Sequence, residues 1–112
     1  MNVRTQVLLW GAQRISAMIL ALCVLVHLVT IIYAVRNGLS AAEILSRTRG
    51  NLPLAFFYGI FVASVSVHAP IGVRTILIET LGWQGRLLNV VTVLLALVLA
   101  AAGLRAVYAV FV

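Results

Sequence analysis

The chain has no lysine, no aspartate, one cysteine, two histidines and only two acidic residues, Glu43 and Glu79, in 112 positions. Each scarcity removes a class of function. Neither glutamate lies inside an apolar run, so no membrane-buried carboxylate is offered for a proton- or cation-coupled carrier. Cys23, alone in the middle of such a run, excludes a disulfide framework and a cysteine-rich metal site, and reads as a small packing residue. All positive charge is arginine, eight side chains that bring the formal net charge to +6. They stand singly at the ends of apolar runs and in loops, without the basic stripe or aromatic platform that follows a phosphate backbone. Nucleic acid is therefore excluded as a partner, and lipid head groups or acidic neighbouring subunits are the expected counterparts.

What is abundant is hydrocarbon. Hydrophobic residues make up 64% of the chain and the mean hydropathy is +1.20, more apolar surface than so small a domain could hide from water. Residues 15–35, 52–78 and 87–112 each supply the roughly 20 apolar residues that a helix needs to cross a bilayer. The expected fold is an all-α integral membrane protein, a single domain over 1–112 with transmembrane helices at about 7–35, 52–79 and 87–112. The first run is too long for a signal-peptide core and has no small-residue cleavage site before Arg36, so it is expected to be retained. Between the first two spans, Ser40 and Glu43 have the spacing of a capping box and Gly50 that of a C-terminal stop, which predicts a short interfacial helix over 41–49. The glycine-bracketed turn at 81–86 places Trp83 at the depth of an aromatic belt and makes the last two spans an antiparallel hairpin. Charge gives no orientation: Arg4, Arg14, Arg74 and Arg86 fall on one side, Arg36, Arg47, Arg49 and Arg105 on the other.

Both histidines lie deep in these spans. Helical periodicity puts Gln13, Ser16, Leu20, Cys23 and His27 on one stripe of the first helix, and Phe57, Phe61, Ser64, His68, Gly72, Thr75 and Glu79 on one face of the second. A membrane histidine can hydrogen-bond a neighbouring helix or belong to a proton path, and it can also be the axial ligand of haem iron. His68 with Gly72 one turn later offers a ligand beside a gap. Arg14 reads either as an interfacial anchor or, with Gln13 and Ser16, as a donor to a carboxylate or carbonyl near the membrane surface. At about 1.5 Å per residue, His27 is roughly 20 Å below Arg14 and His68 roughly 16 Å below Glu79. That small offset leaves one haem or two equally open, because tilt can produce or erase it.

The run Gln13-Arg14-Ile15-Ser16-Ala17, followed by Leu25-Val26-His27-Leu28, resembles the first membrane helix of cytochrome b anchor subunits of succinate dehydrogenase and fumarate reductase. In that family an arginine with a nearby Ser or Thr opens the helix, and two-haem members carry a histidine further along. Ser66-Val67-His68-Ala69-Pro70-Ile71-Gly72-Val73-Arg74, with Glu79 beyond, is similar to the family's second helix: a haem-ligating histidine, a glycine four residues later, often a basic residue, then an acidic one. The resemblance spans most of the chain. It implies an anchor without dicarboxylate chemistry of its own, docking a flavoprotein and an iron–sulfur subunit and passing electrons to or from membrane quinone. His68 would be the axial ligand of the haem b nearer the soluble subunits and His27 the ligand of a second haem. Arg14, Ser16, Gln13 and Arg74 would contact quinone or a haem propionate, and Gly72 and Ser64 would pack beside the macrocycle. Two departures from the family pattern concern the quinone contact, with Gln13 where a histidine is often found and Trp10 where a serine sometimes stands. A haem held on both faces normally lies within four or more helices, so a second anchor subunit or another copy of this chain is expected to complete the site. The expected location is the bacterial inner membrane with a cytoplasmic N-terminus. The competing reading is a purely structural membrane subunit or assembly factor without haem.

Overall fold

In the computed structural model, which describes residues 2–112, the chain forms four helices: α1 (Val3–Arg36), α2 (Ala41–Thr48), α3 (Leu52–Leu81) and α4 (Arg86–Phe111). Three of them, α1, α3 and α4, are long and apolar enough to cross a membrane, and short α2 lies between the first two. The protein is thus an all-helical, multi-pass membrane protein.

Helix boundaries follow local chemistry. The Asn2 side chain accepts from Thr5 N–H at 2.8 Å and starts α1 four residues before the expected position. Its end is a Schellman motif: Leu39 N–H donates to the Ala34 carbonyl and Gly38 N–H to that of Val35, with Gly38 at φ 61°. The capping box of α2 is formed, Ser40 Oγ accepting from Glu43 N–H at 3.2 Å while the Glu43 carboxylate accepts from Ser40. α2 stops at Thr48, one residue short of the expected end, because Arg49 is already extended. Asn51 caps α3 by accepting from Leu54 N–H at 3.1 Å, and Gly82 closes it at φ 62°.

α3 is the central element, with α1 packed on one side and α4 on the other, while α1 and α4 barely meet. The contacts are made by small side chains, as expected where lipid removes any hydrophobic drive between helices. Buried positions are Ser16 and Cys23 on α1, Ser64 and Pro70 on α3, and Leu88 on α4. The tightest approach is at Gly103, where an added Cβ would lie 2.6 Å from Val62 Cγ1. α2 folds against the end of α4: Thr48 Oγ1 donates to the Val110 carbonyl at 2.7 Å and Gly50 N–H to that of Phe111 at 2.9 Å. Two carbonyls left over at the end of α4 are thereby satisfied. Most other hydroxyls bond back to their own helix, as Ser66 does to Val62, Thr75 to Ile71 and Thr92 to Leu88. That removes their polarity from lipid and leaves them without a functional signature.

Candidate functional site

The polar stripe of α1 faces α3. Along the contact, Ser16 Oγ lies 3.4 Å from His68 Nδ1, His27 Nδ1 lies 3.0 Å from Tyr58 Oη, and a Cβ at Gly72 would meet Gln13 Nε2. The residue numbers of these pairs add to the same value within one, as antiparallel helices in register require. Each histidine is half-buried and uses Nδ1 to reach a hydroxyl on the other helix. The His27 ring also meets Tyr58 and Phe61 edge-on, at centroid distances of 5.5 and 5.7 Å.

This register corrects the depth comparison made from sequence. Gln13 is level with Gly72, so Arg14 is level with the turn above His68 and not with Glu79, two turns further out. Counting along either helix, about 15 Å of depth separates His68 from His27. Two imidazole nitrogens on one metal lie only about 4 Å apart, each bond being about 2 Å. Neighbouring antiparallel helices cannot bring both histidines of one chain to the same iron across that depth.

At the outer end, Gln6, Trp10, Gln13, Arg14, Gly72 and Arg74 line a groove of about 530 Å³ between α1 and α3. The Arg14 guanidinium stands 5.1 Å over the Trp10 ring, and Arg74 Nη2 donates to Asn89 Oδ1 on α4 at 3.3 Å. The Gln13 amide oxygen is buried without a hydrogen-bond partner among the described residues. Such an atom costs about 1–3 kcal/mol unless something donates to it. A second, more polar hollow adjoins through Arg74, lined by Gln6, Gln84 and Asn89. The groove therefore gathers Gln13, Arg14, Gly72 and Arg74 within two turns of His68. Ser16 is not in its lining; it is buried against the imidazole. Ser64 is also buried, at 6% exposure, in the α3 face that carries His68.

Around His27 the surroundings are apolar. A cavity of about 630 Å³ opens between α2, α3 and α4, walled by Phe61, Val62, Leu99, Ala102 and Gly103 with Ile44 of α2. A second, of about 460 Å³, continues past His27 and Tyr58 to Arg47, whose guanidinium stands 5.6 Å over Tyr33. Their sizes are those of small-molecule sites. The small residues of α4 create this space.

Sequence reasoning did not single out Tyr58, Gln6 or Asn89. Tyr58 follows only once the register is known, since pairing Ser16 with His68 sets His27 opposite that turn of α3. Gln6 stands outside the apolar runs and Asn89 lies in the first turn of the third, and neither carries a periodic signal. Among the described residues, no group of three or more His, Cys, Asp or Glu could hold a bare metal ion. A haem iron asks for less, one imidazole nitrogen from this chain, apolar walls and a donor for its carboxylates. His68 and His27 each keep Nε2 clear of the hydroxyl contact, and these surroundings fit the group.

The family described as succinate dehydrogenase/fumarate reductase transmembrane subunit matches residues 1–109. No curated protein and no solved structure matches the chain significantly. With nearly its whole length matched, the chain belongs to the family of succinate dehydrogenase and fumarate reductase transmembrane subunits.

Proposed function

We propose that this chain is a haem b-binding membrane anchor of a succinate:quinone oxidoreductase or quinol:fumarate reductase. It holds the flavoprotein and iron–sulfur subunits at the membrane and carries electrons between them and quinone. The observation that supports this best is the vertical order of the parts: a groove at the outer end that carries Gln13, Arg14 and Arg74 on otherwise apolar walls, His68 one turn beneath it, and His27 about 15 Å deeper beside an apolar cavity.

In this reading Arg14 and Arg74 donate to a quinone carbonyl or a propionate in the groove, and the unpartnered Gln13 oxygen accepts from a quinol hydroxyl. Gly72 keeps the α3 side of the groove free of a side chain. His68 and His27 would hold haem through Nε2 at two levels, and a second anchor or another copy of this chain would complete each site. Haem held there would supply one-electron transfer and no oxygen chemistry. The protein's share is to hold the imidazoles, exclude water with apolar walls and place Gln13, Arg14 and Arg74 in the groove. The groove end faces the soluble subunits and, in a bacterial inner membrane, the cytoplasm.

The same histidine–hydroxyl bonds would serve a purely structural subunit or assembly factor, so the test must see the cofactor. The dithionite-reduced, purified complex is expected to show a b-type α band. Its absence would contradict the haem assignment and favour the structural reading.

A further inference from the structure

The two imidazoles are held differently. Ser16 Oγ–H donates to the Gln13 carbonyl at 3.1 Å, the shorter of its two contacts and the one that points its proton away from the ring. What it offers His68 Nδ1, 3.4 Å away, is a lone pair. An acceptor at that place selects the tautomer with the proton on Nδ1 and the free lone pair on Nε2. Ser16 is only 5% exposed and lies in the α1–α3 contact, so water does not compete for the role. Tyr58 makes no such selection. Its hydroxyl, 3.0 Å from His27 Nδ1, has no other hydrogen bond among the described residues, and it can donate to the ring or accept from it.

We propose that Ser16 is a positioning residue that fixes His68, and not His27, in the tautomer that ligates iron through Nε2. The relevance of this to haem rests on the function proposed above. The Ser16–His68 contact replaces the quinone or propionate contact expected for Ser16 from the resemblance, and it assigns that residue to the ring behind the metal. A ligand imidazole that donates from its second nitrogen is a more basic ligand; it favours the oxidised metal and lowers the reduction potential. Loss of such an outer partner commonly weakens metal binding about 10–100-fold. His27, with an undecided partner, must commit its proton when it binds.

Two measurements test this. In the full-length chain with ¹⁵N-labelled histidine, reconstituted in lipid discs at a pH where both rings are neutral, His68 is expected to carry its proton on Nδ1. Ser16→Ala is expected to shift that proton towards Nε2, and Ser16→Thr to restore it; with only two histidines, one substitution assigns the signals. In the assembled complex, Ser16→Ala is expected to raise the midpoint potential of one b-type haem and leave the other unmoved. A His68 tautomer unchanged in Ser16→Ala would overturn the proposal, as would potentials that shift for both haems or for neither. A wild-type complex with no b-type band would instead overturn the haem reading, while the tautomer result would stand.

Discussion

Gly103 and Gly72 look alike in sequence and differ in what surrounds them. At Gly103 a methyl group would meet Val62 Cγ1 at 2.6 Å, Cγ2 at 2.8 Å and Cβ at 3.2 Å, so no rotation of Val62 relieves the clash. Gly103→Ala is expected to destabilise the α3–α4 pair by about 1–3 kcal/mol, read from denaturant unfolding in micelles. At Gly72 an added Cβ would meet, among the described residues, the end of the flexible Gln13 side chain at 3.3 Å, and alanine is expected to be tolerated by the fold. Gln13 separates stability from function. Its buried amide oxygen has no partner among the described residues, so Gln13→Leu removes an unsatisfied polar group and is expected to keep or raise stability, by up to about 1–3 kcal/mol. If the groove binds quinone, the same substitution lowers quinone-linked turnover in the complex. Unchanged turnover with unchanged quinone affinity would remove Gln13 from the site.

At the scale of the helix, α2 is the element that local signals define best and tertiary contacts explain least from sequence. Its capping box was readable from Ser40 and Glu43, yet nothing in the residue order shows that Thr48 and Gly50 would satisfy the last carbonyls of α4. Ser40→Ala is expected to cost α2 about 0.5–2 kcal/mol and Thr48→Val to loosen its hold on α4. Both effects would appear as faster amide exchange in α2 with α3 unaffected, whereas equal exchange in wild type and variants would contradict them. The spans themselves were legible because hydrocarbon demands long uninterrupted apolar helices. The facing stripes of α1 and α3 were legible through periodicity, which brought Ser16, His27 and His68 onto contact faces. Register was not. Periodicity fixes which way a side chain points around its helix and says nothing about how far one helix slides along the next. Levelling Arg14 with Glu79 therefore misjudged the depth of His68, and Tyr58 stayed unnoticed.

For the molecule as a whole, the decisive property is openness. α3 packs on both neighbours while α1 and α4 barely meet, leaving His27 beside cavities and His68 half-buried. Such an arrangement could cover one face of a flat cofactor and not two. The purified single chain is accordingly expected not to bind haem stoichiometrically with a six-coordinate, low-spin spectrum; that spectrum from the isolated monomer would contradict the need for a partner. Orientation belongs to this scale too, because arginines are balanced between the two ends. With Cys23 replaced by serine, a cysteine at Gln84 is expected to react with an impermeant thiol reagent from the cytoplasmic side and one at Ser46 from the opposite side. The central claim is that the two histidines serve two sites at different depths. Its most direct test is a potentiometric titration of the b-type absorbance in the purified complex, for wild type and for His68→Ala and His27→Ala. Two components are expected in the wild type, each histidine variant losing a different one. A single component abolished by either substitution, or spectra unchanged in both variants, would contradict it.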